Sequence, residues 1–374
     1  MKIDEPKTKK IMFSGGGTGG SVTPLLVLAK KLRQKNENLD IVFVGTKNGP
    51  EKNLVLSFSL PGKAITFITI PAGKWRRYFS WKNFIDVFRI ISAFFVSCQI
   101  LSREKPDLLL SAGGFVSVPL AYASYFKKIP VVIHQQDVRP GLANKLMAKT
   151  AQLVTTTFSK SLVDYGDKAK WLGNPAPARI SDGVVDTIKE KYGLTGDMPI
   201  LLITGGGTGS LVINNLVYES IPSLVSNFQI IHLTGIGKLP SSELFREVSK
   251  NINYHVEEII SPDDMFALLQ ASSLVVSRCG LATLTELCTL KKPAILIPIP
   301  NSHQEENAEF FQSEGAALVM DQDKLTSDIF IKTIKELMAD KDRIQKLENN
   351  ISQIMKENAS EEMANLLLER FLKV

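Results

Sequence analysis

Short runs of β-branched and aliphatic residues alternate with amphipathic stretches along almost the whole chain. In the first half these runs fall at residues 10–13, 41–44, 64–70, 108–110, 131–134 and 153–156. In the second they fall at 200–204, 230–234, 254–256, 274–276, 294–297 and 317–319. A continuous apolar strand is one covered on both faces, so the pattern predicts parallel sheets sandwiched between helices. Two such series predict two Rossmann-like, doubly wound α/β domains. Beyond Leu325 the chain reads as charged and helical, with no further strand.

An internal repeat supports the division. Gly15, Gly16, Gly17, Thr18 and Gly19 recur as Gly205, Gly206, Gly207, Thr208 and Gly209, each set directly after the first strand of its half. Between the halves, Gly173, Asn174, Pro175, Ala176 and Pro177 form a linker that neither helix nor strand continues through. The expected domains are residues 1–174 and 175–350. Residues 351–374 are expected as a terminal helix that can pack back on the first lobe, which periodicity alone does not show.

Residues 14–21 join the first strand to a helix expected at about 22–32, where Pro24 is tolerable only in the first turn. Glycines let backbone approach a ligand, and the free N–H groups of a helix start favour phosphate oxygens. A tight turn with no ligand would use the same residues. Gly15, Gly17 and Gly20 fit the dinucleotide spacing, but the second strand ends in Gly45, Thr46 and Lys47, with no carboxylate for a ribose. No phosphate-loop lysine motif occurs either. The turns therefore read as phosphate-binding without being an NAD or ATP motif.

Composition narrows the class. An apolar fraction of 44% and a charged fraction of 22% exclude a disordered or fibrous chain. Cys98, Cys279 and Cys288 form no paired framework, and residues 1–10 lack the apolar core of a signal peptide, so a reduced cytosolic setting is expected. The longest apolar run, residues 90–101, is too short to cross a bilayer. A net charge of +6 fits an anionic partner, but basic residues are dispersed except at 74–82, and no nucleic-acid-binding motif occurs. The scattered histidines and cysteines indicate no metal, and no cofactor is called for; Asp321 and Asp323 read as a loop.

Several motifs come in one order: Gly16 to Gly20; His134, Gln135, Gln136 and Asp137; Pro140 to Lys145; Gly173 to Pro175; Thr283 to Glu286; and His303 with Gln304 through Ala308. Together, over residues 8–340, they resemble the MurG family of UDP-N-acetylglucosamine transferases, Gram-positive-like branch. The resemblance implies two lobes facing a cleft, the GT-B fold. It implies inverting transfer of N-acetylglucosamine from UDP-N-acetylglucosamine to the lipid I acceptor, forming lipid II in peptidoglycan synthesis. A transferase acting on another lipid, or a non-catalytic nucleotide-sugar-binding paralogue, are the competing readings.

By the same resemblance, Glu286 would accept hydrogen bonds from the ribose hydroxyls, and Leu281, Ala282, Thr283, Leu284 and Thr285 would present helix-start N–H groups to the donor phosphates. Gln304 would contact the sugar hydroxyls, with Gly207 and Asn214 on the donor side. Thr18, Gly19 and Gly20 would lie at donor contacts and near the acceptor pyrophosphate. Thr283 with Glu286 also spells a capping box, in which Glu286 would only bond its own helix start. The family usually has histidine at Ser21, and often glutamate at Gln135, serine at Gly207 and arginine at Pro177. His134 or Asp137 is left to activate the acceptor hydroxyl.

A lipid acceptor calls for membrane docking. Lys74, Trp75, Arg76, Arg77, Trp81 and Lys82 combine cations with interfacial aromatics, the composition of a helix at an anionic headgroup surface. An amphipathic helix covering the sheet reads alike. The expected location is the cytoplasmic face of the cell membrane, peripherally bound, with other cell-wall synthesis proteins as further partners.

Overall fold

The computed structural model describes residues 8–16, 19–71, 82–194, 196, 198–240 and 243–373. The chain divides into two compact units, residues 1–176 with 356–374, and residues 177–355.

The first unit is built on seven parallel strands: β1 (Lys10–Ser14), β2 (Asp40–Gly45), β3 (Thr66–Thr69), β4 (Leu108–Ser111), β5 (Val131–Gln135), β6 (Leu153–Thr156) and β7 (Ala169–Trp171), in the order β3-β2-β1-β4-β5-β6-β7. Alternation along β1 shows why the strands are apolar throughout. Ile11 and Phe13 face a cluster containing Leu25, Leu28 and Leu32 of the helix Thr23–Lys35, while Met12 faces the opposite cluster with Leu109 and Leu120. Pro24 lies in the first turn of that helix, where its missing N–H is harmless.

The terminal helix Ala359–Leu367 belongs to this unit. Met363, Ala364 and Leu367 are buried in the same cluster as Leu25 and Leu32, and Glu361 pairs with Lys31 and Lys35. Gly173 adopts φ +82° and leaves room for the Lys356 carbonyl, where a Cβ would come within 2.9 Å. The outgoing and returning chain segments therefore touch at a glycine.

The second unit has six parallel strands: β8 (Ile200–Thr204), β9 (Gln229–Leu233), β10 (Tyr254–Glu257), β11 (Leu274–Ser277), β12 (Ala294–Leu296) and β13 (Leu318–Val319), in the order β10-β9-β8-β11-β12-β13. Its core runs from Leu201 and Ile203 through Ile230 and Val276 to Phe330 and Ile334. In both units the chain starts in the middle of the sheet and winds outward on one side, then the other. Such a reversal leaves a crevice at the carboxyl ends of the central strands, β1 with β4 and β8 with β11.

Candidate active site

The carboxyl edge of the second sheet carries the clearest chemistry. Beyond β8, Gly206 to Gly209 project as a turn whose tip, Gly207 and Thr208, is exposed. Ser210 then caps the helix Leu211–Leu224, accepting a hydrogen bond from the Ile213 N–H at 3.3 Å. Beyond β11, the helix Leu281–Leu290 starts at Gly280, which offers no side-chain cap, and there is no acidic residue in its first turn. Only the fourth N–H, that of Leu284, is bonded back, to the Gly280 carbonyl at 3.0 Å. The preceding N–H groups, of Leu281, Ala282 and Thr283, form an open anion-binding end.

This start also excludes the capping reading of Glu286. The N-cap is Gly280, so Thr283 lies inside the helix and the capping box does not form. Glu286 is half-buried and makes no hydrogen bond or ion pair with a described residue. Burial alone pushes its carboxyl up to about 7. An unpartnered carboxyl beside an uncapped helix start leaves acceptor oxygens open to hydroxyl donors.

Gln304 lies in the first turn of the helix His303–Ser313, which Ser302 caps. Its Oε1 accepts from the backbone N–H groups of Cys279 and Ile299, each at 3.2 Å. Those two donors fix the amide orientation, and its nitrogen has no partner among the described residues. Gln304 therefore offers donors, not an acceptor, to a ligand.

Asn214, expected on the donor side, is completely buried. Its amide donates to the Thr234 carbonyl at 3.1 Å and its oxygen meets His232 Nε2 at 3.1 Å. These bonds tie the helix Leu211–Leu224 to β9 and the loop after it. Gly207 is open: an added Cβ would meet nothing within 4 Å, and its φ lies outside the left-handed region. Gly207→Ser is therefore expected to fold normally and to tighten UDP-N-acetylglucosamine binding by about 3- to 10-fold, the worth of one hydrogen bond. Calorimetric titration checks this, and an unchanged affinity would mark the position as silent.

Arg278 escapes a motif-based reading. It is buried, donating to the carbonyls of Ile297 and Pro298 and to Ser210 Oγ and Gln322 Oε1 at 2.6–3.0 Å. No carboxylate of a described residue reaches it, and desolvation draws its pKa down. A buried cation with only neutral partners ties three strand-end loops together and raises the potential where anions would sit. The available sequence signal is an arginine immediately after an apolar strand at the switch point.

In the first unit, Thr18 lies outside the described residues, as do Lys74, Trp75, Arg76, Arg77 and Trp81; Lys82 opens the helix Lys82–Glu104. Gly19 and Gly20 form a short 3-10 turn with the buried Ser21, and the Gly20 carbonyl accepts from Gln136 Nε2 at 3.2 Å. Asp137 follows β5 and is half-buried.

His134, expected as one of two candidate bases, lies inside the first unit. The ring is buried, with Nδ1 2.9 Å from Thr155 Oγ1 and Nε2 2.8 Å from Asn174 Oδ1. The amide oxygen can only accept, so Nε2 carries the proton and Nδ1 takes the threonine hydroxyl. No lone pair remains, and burial lowers the pKa to about 4. The bond to Asn174 ties the segment beyond β7 to the sheet. Gln135 is equally committed: Nε2 donates to the carbonyls of Asp137 and Arg139, while Oε1 accepts from Asn144 and Tyr165.

Two doubly wound parallel sheets, each with a crevice at its switch point, define the class of fold, and sequence comparison gives the family. The chain matches the glycosyltransferase family 28 N-terminal domain over residues 11–156 and the family 28 C-terminal domain over residues 200–367. It belongs to glycosyltransferase family 28.

Among similar proteins, one from Legionella pneumophila (strain Paris) is named UDP-N-acetylglucosamine–N-acetylmuramyl-(pentapeptide) pyrophosphoryl-undecaprenol N-acetylglucosamine transferase. It is 35% identical over 366 residues, 96% of this chain and 96% of its own. A Clostridium botulinum (strain Hall) protein of the same name is 36% identical over 365 residues, 96% of this chain and 98% of its own. The crystal structure of Acinetobacter baumannii MurG has a TM-score of 0.75 at 24% identity, covering 98% of this chain and 100% of that one, a likeness of fold.

Proposed function

We propose that this chain is an inverting glycosyltransferase that moves N-acetylglucosamine from UDP-N-acetylglucosamine to lipid I, forming lipid II for peptidoglycan. The observation that carries the reading is the unpartnered Glu286 carboxyl beside the uncapped helix start at Leu281. The shared name of relatives 35–36% identical over 96% of the chain supports the same substrates.

In this reading the second unit holds the donor. Glu286 accepts from both ribose hydroxyls, the N–H groups at Leu281 to Thr283 meet the diphosphate, and Gln304 donates to a sugar hydroxyl. The first unit presents the acceptor. Its hydroxyl oxygen attacks the anomeric carbon, the bond from that carbon to the diphosphate oxygen breaks, and UDP leaves with the electron pair. With both nitrogens of His134 engaged, Asp137 is the base that takes the hydroxyl proton. Positioning and stabilisation of the leaving diphosphate supply most of the rate.

Membrane docking is proposed on the helix Lys82–Glu104 and its neighbour Ser117–Phe126. No described helix is long and apolar enough to cross a membrane. Phe94 packs edge-on against both Phe95 and Phe126, and Phe95 and Phe126 remain 61% and 69% exposed. Exposed Lys127 and Lys128 follow directly. Aromatics beside cations suit the headgroup region of anionic lipid. Replacing Phe95 and Phe126 together by serine is expected to weaken binding to phosphatidylglycerol vesicles about tenfold or more. UDP affinity should not change; equal vesicle partitioning would remove this surface from the account.

The activity is tested by incubating pure protein with labelled UDP-N-acetylglucosamine and a short-chain lipid I analogue, with UDP-glucose and UDP-galactose as competing donors. Labelled disaccharide lipid from the first donor alone is expected. Transfer only from another sugar, or UDP binding with no transfer, would overturn it in favour of another lipid transferase or a binding-only paralogue.

A further inference from the structure

The glycine turn of the second unit is held from one side by a lysine outside it. Within the turn, the Gly209 N–H donates to the Gly206 carbonyl at 2.8 Å, and the Gly206 N–H to Thr204 Oγ1 at 3.1 Å. Lys238 lies in the loop after β9, the strand next to β8. Its Nζ donates to the carbonyls of Thr208 at 2.7 Å and Gly209 at 3.0 Å. The side chain is half-buried and forms no ion pair with a described residue.

Turn and loop meet backbone to backbone. A Cβ on Gly209 would collide with the Thr234 carbonyl oxygen, and one on Gly235 would stand 2.6 Å from Gly209 Cα. Both residues have positive φ, +69° and +88°, so glycine is required twice over. Lys238 reaches across this contact.

The loop that carries Lys238 is itself fixed. Asn214 Nδ2 donates to the carbonyls of Thr234 at 3.1 Å and Lys238 at 3.5 Å. Its Oδ1 accepts from His232 Nε2 at 3.1 Å, and His232 Nδ1 takes the Tyr254 hydroxyl at 2.9 Å. All three side chains belong to buried residues, and burial lowers the His232 pKa to about 3, so the ring is neutral with its proton on Nε2. From the next loop, Glu258 accepts from the Gly237 N–H. A buried chain in which each member is bonded is stiff.

A trans peptide points its N–H opposite to its carbonyl. With the Gly209 carbonyl on Lys238, the Ser210 N–H faces away from the ammonium, and it has no partner among the described residues. The Ser210 hydroxyl is bonded to the buried Arg278 guanidinium at 2.8 Å. Two carbonyls held on an ammonium also cannot swing their negative ends towards an anion, so the turn is preorganised for one.

We propose that Lys238 is a positioning residue of the donor site: it fixes the second glycine turn, and with it the Ser210 N–H, for the diphosphate of the nucleotide sugar, without touching the donor itself. This rests on the donor assignment proposed above.

The test uses the full chain, with UDP as probe, and compares the natural protein with Lys238→Met and Lys238→Arg. Lys238→Met is expected to raise the UDP dissociation constant and the donor KM about tenfold or more, the worth of two bonds to an ammonium, with acceptor KM unchanged. In the ligand-free protein, amide hydrogen exchange over residues 206–210 should quicken about tenfold or more while β8 and β9 keep their natural rates. Lys238→Arg should recover most of both effects. Weakened UDP binding with natural exchange in the turn would mean direct contact with the donor and overturns the proposal. So does a loosened turn with unchanged UDP affinity, or faster exchange throughout the second unit. Absence of UDP binding in the natural protein is a different result: it defeats the donor assignment first, and the proposal with it. Should Lys238→Met not fold, Lys238→Gln, which keeps a donor, is expected to show the same changes at smaller size, and none in that folded variant overturns the role.

Discussion

Glu286→Ala is expected to lower kcat/KM for UDP-N-acetylglucosamine by roughly 10²–10⁴-fold, because two hydrogen bonds to a charged acceptor are lost at about 1.5–3 kcal/mol each. Glu286→Gln should fall between, since one amide oxygen can still accept. The pH dependence follows from the sign of the shift. Burial raises this carboxyl from 4.5 to about 7, and only the ionised form can accept from both ribose hydroxyls. UDP affinity should therefore be level above pH 7 and weaken by up to about tenfold per pH unit below it. In Glu286→Gln the profile should be flat across that range.

Stability should move the other way. A carboxyl whose folded pKa is raised contributes fully to stability below its ordinary value and loses that contribution as pH rises through about 7. At pH 8 the Gln variant should melt at a higher temperature than the natural protein while binding UDP more weakly. A substitution that stabilises and inactivates marks a residue kept for function. Calorimetric titration and thermal melts of both proteins at pH 6 and 8 check the pair of effects.

His134→Ala is expected to destabilise the first unit by about 2–4 kcal/mol, through the cavity and through Thr155 and Asn174 left facing it. The pH sign is opposite to that of Glu286. Burial lowers the pKa from 6.5 to about 4, so the contribution is complete above 6.5 and is lost as pH falls through about 4. The shift corresponds to about 3 kcal/mol. Urea denaturation at pH 7.5 and 4.5 should show the natural protein losing stability on acidification and His134→Ala losing less. A catalytic base would behave differently, with kcat collapsing at unchanged stability. Finding that pattern would return His134 to the reaction.

The contrast between these two residues shows how much of the site the sequence discloses. Strand β1 was legible because Ile11, Met12 and Phe13 are each apolar and each buried, on alternate faces. Strand β7 was not: it has three residues at a sheet edge, with Lys170 exposed at its centre. Both His134 and Glu286 stand out by position in a motif, but the surroundings of neither do. Those of His134 come from 21 and 40 residues away, in β6 and beyond β7. The isolation of Glu286 depends on a helix starting at Gly280, a residue with no side chain to announce it. The competing capping box at Thr283 would begin the helix three residues beyond the observed N-cap. Arg278 was illegible because its neighbours are gathered from loops that only sheet order brings together.

The claim at the centre is that the second unit grips the nucleotide at the start of the helix Leu281–Leu290. A crystal structure with UDP-N-acetylglucosamine measures it directly. Both ribose hydroxyls should lie within hydrogen-bond distance of the Glu286 carboxylate, with diphosphate oxygens at the N–H groups of Leu281 to Thr283. Nucleotide bound elsewhere, or a Glu286 carboxylate still without a partner in the complex, would contradict it.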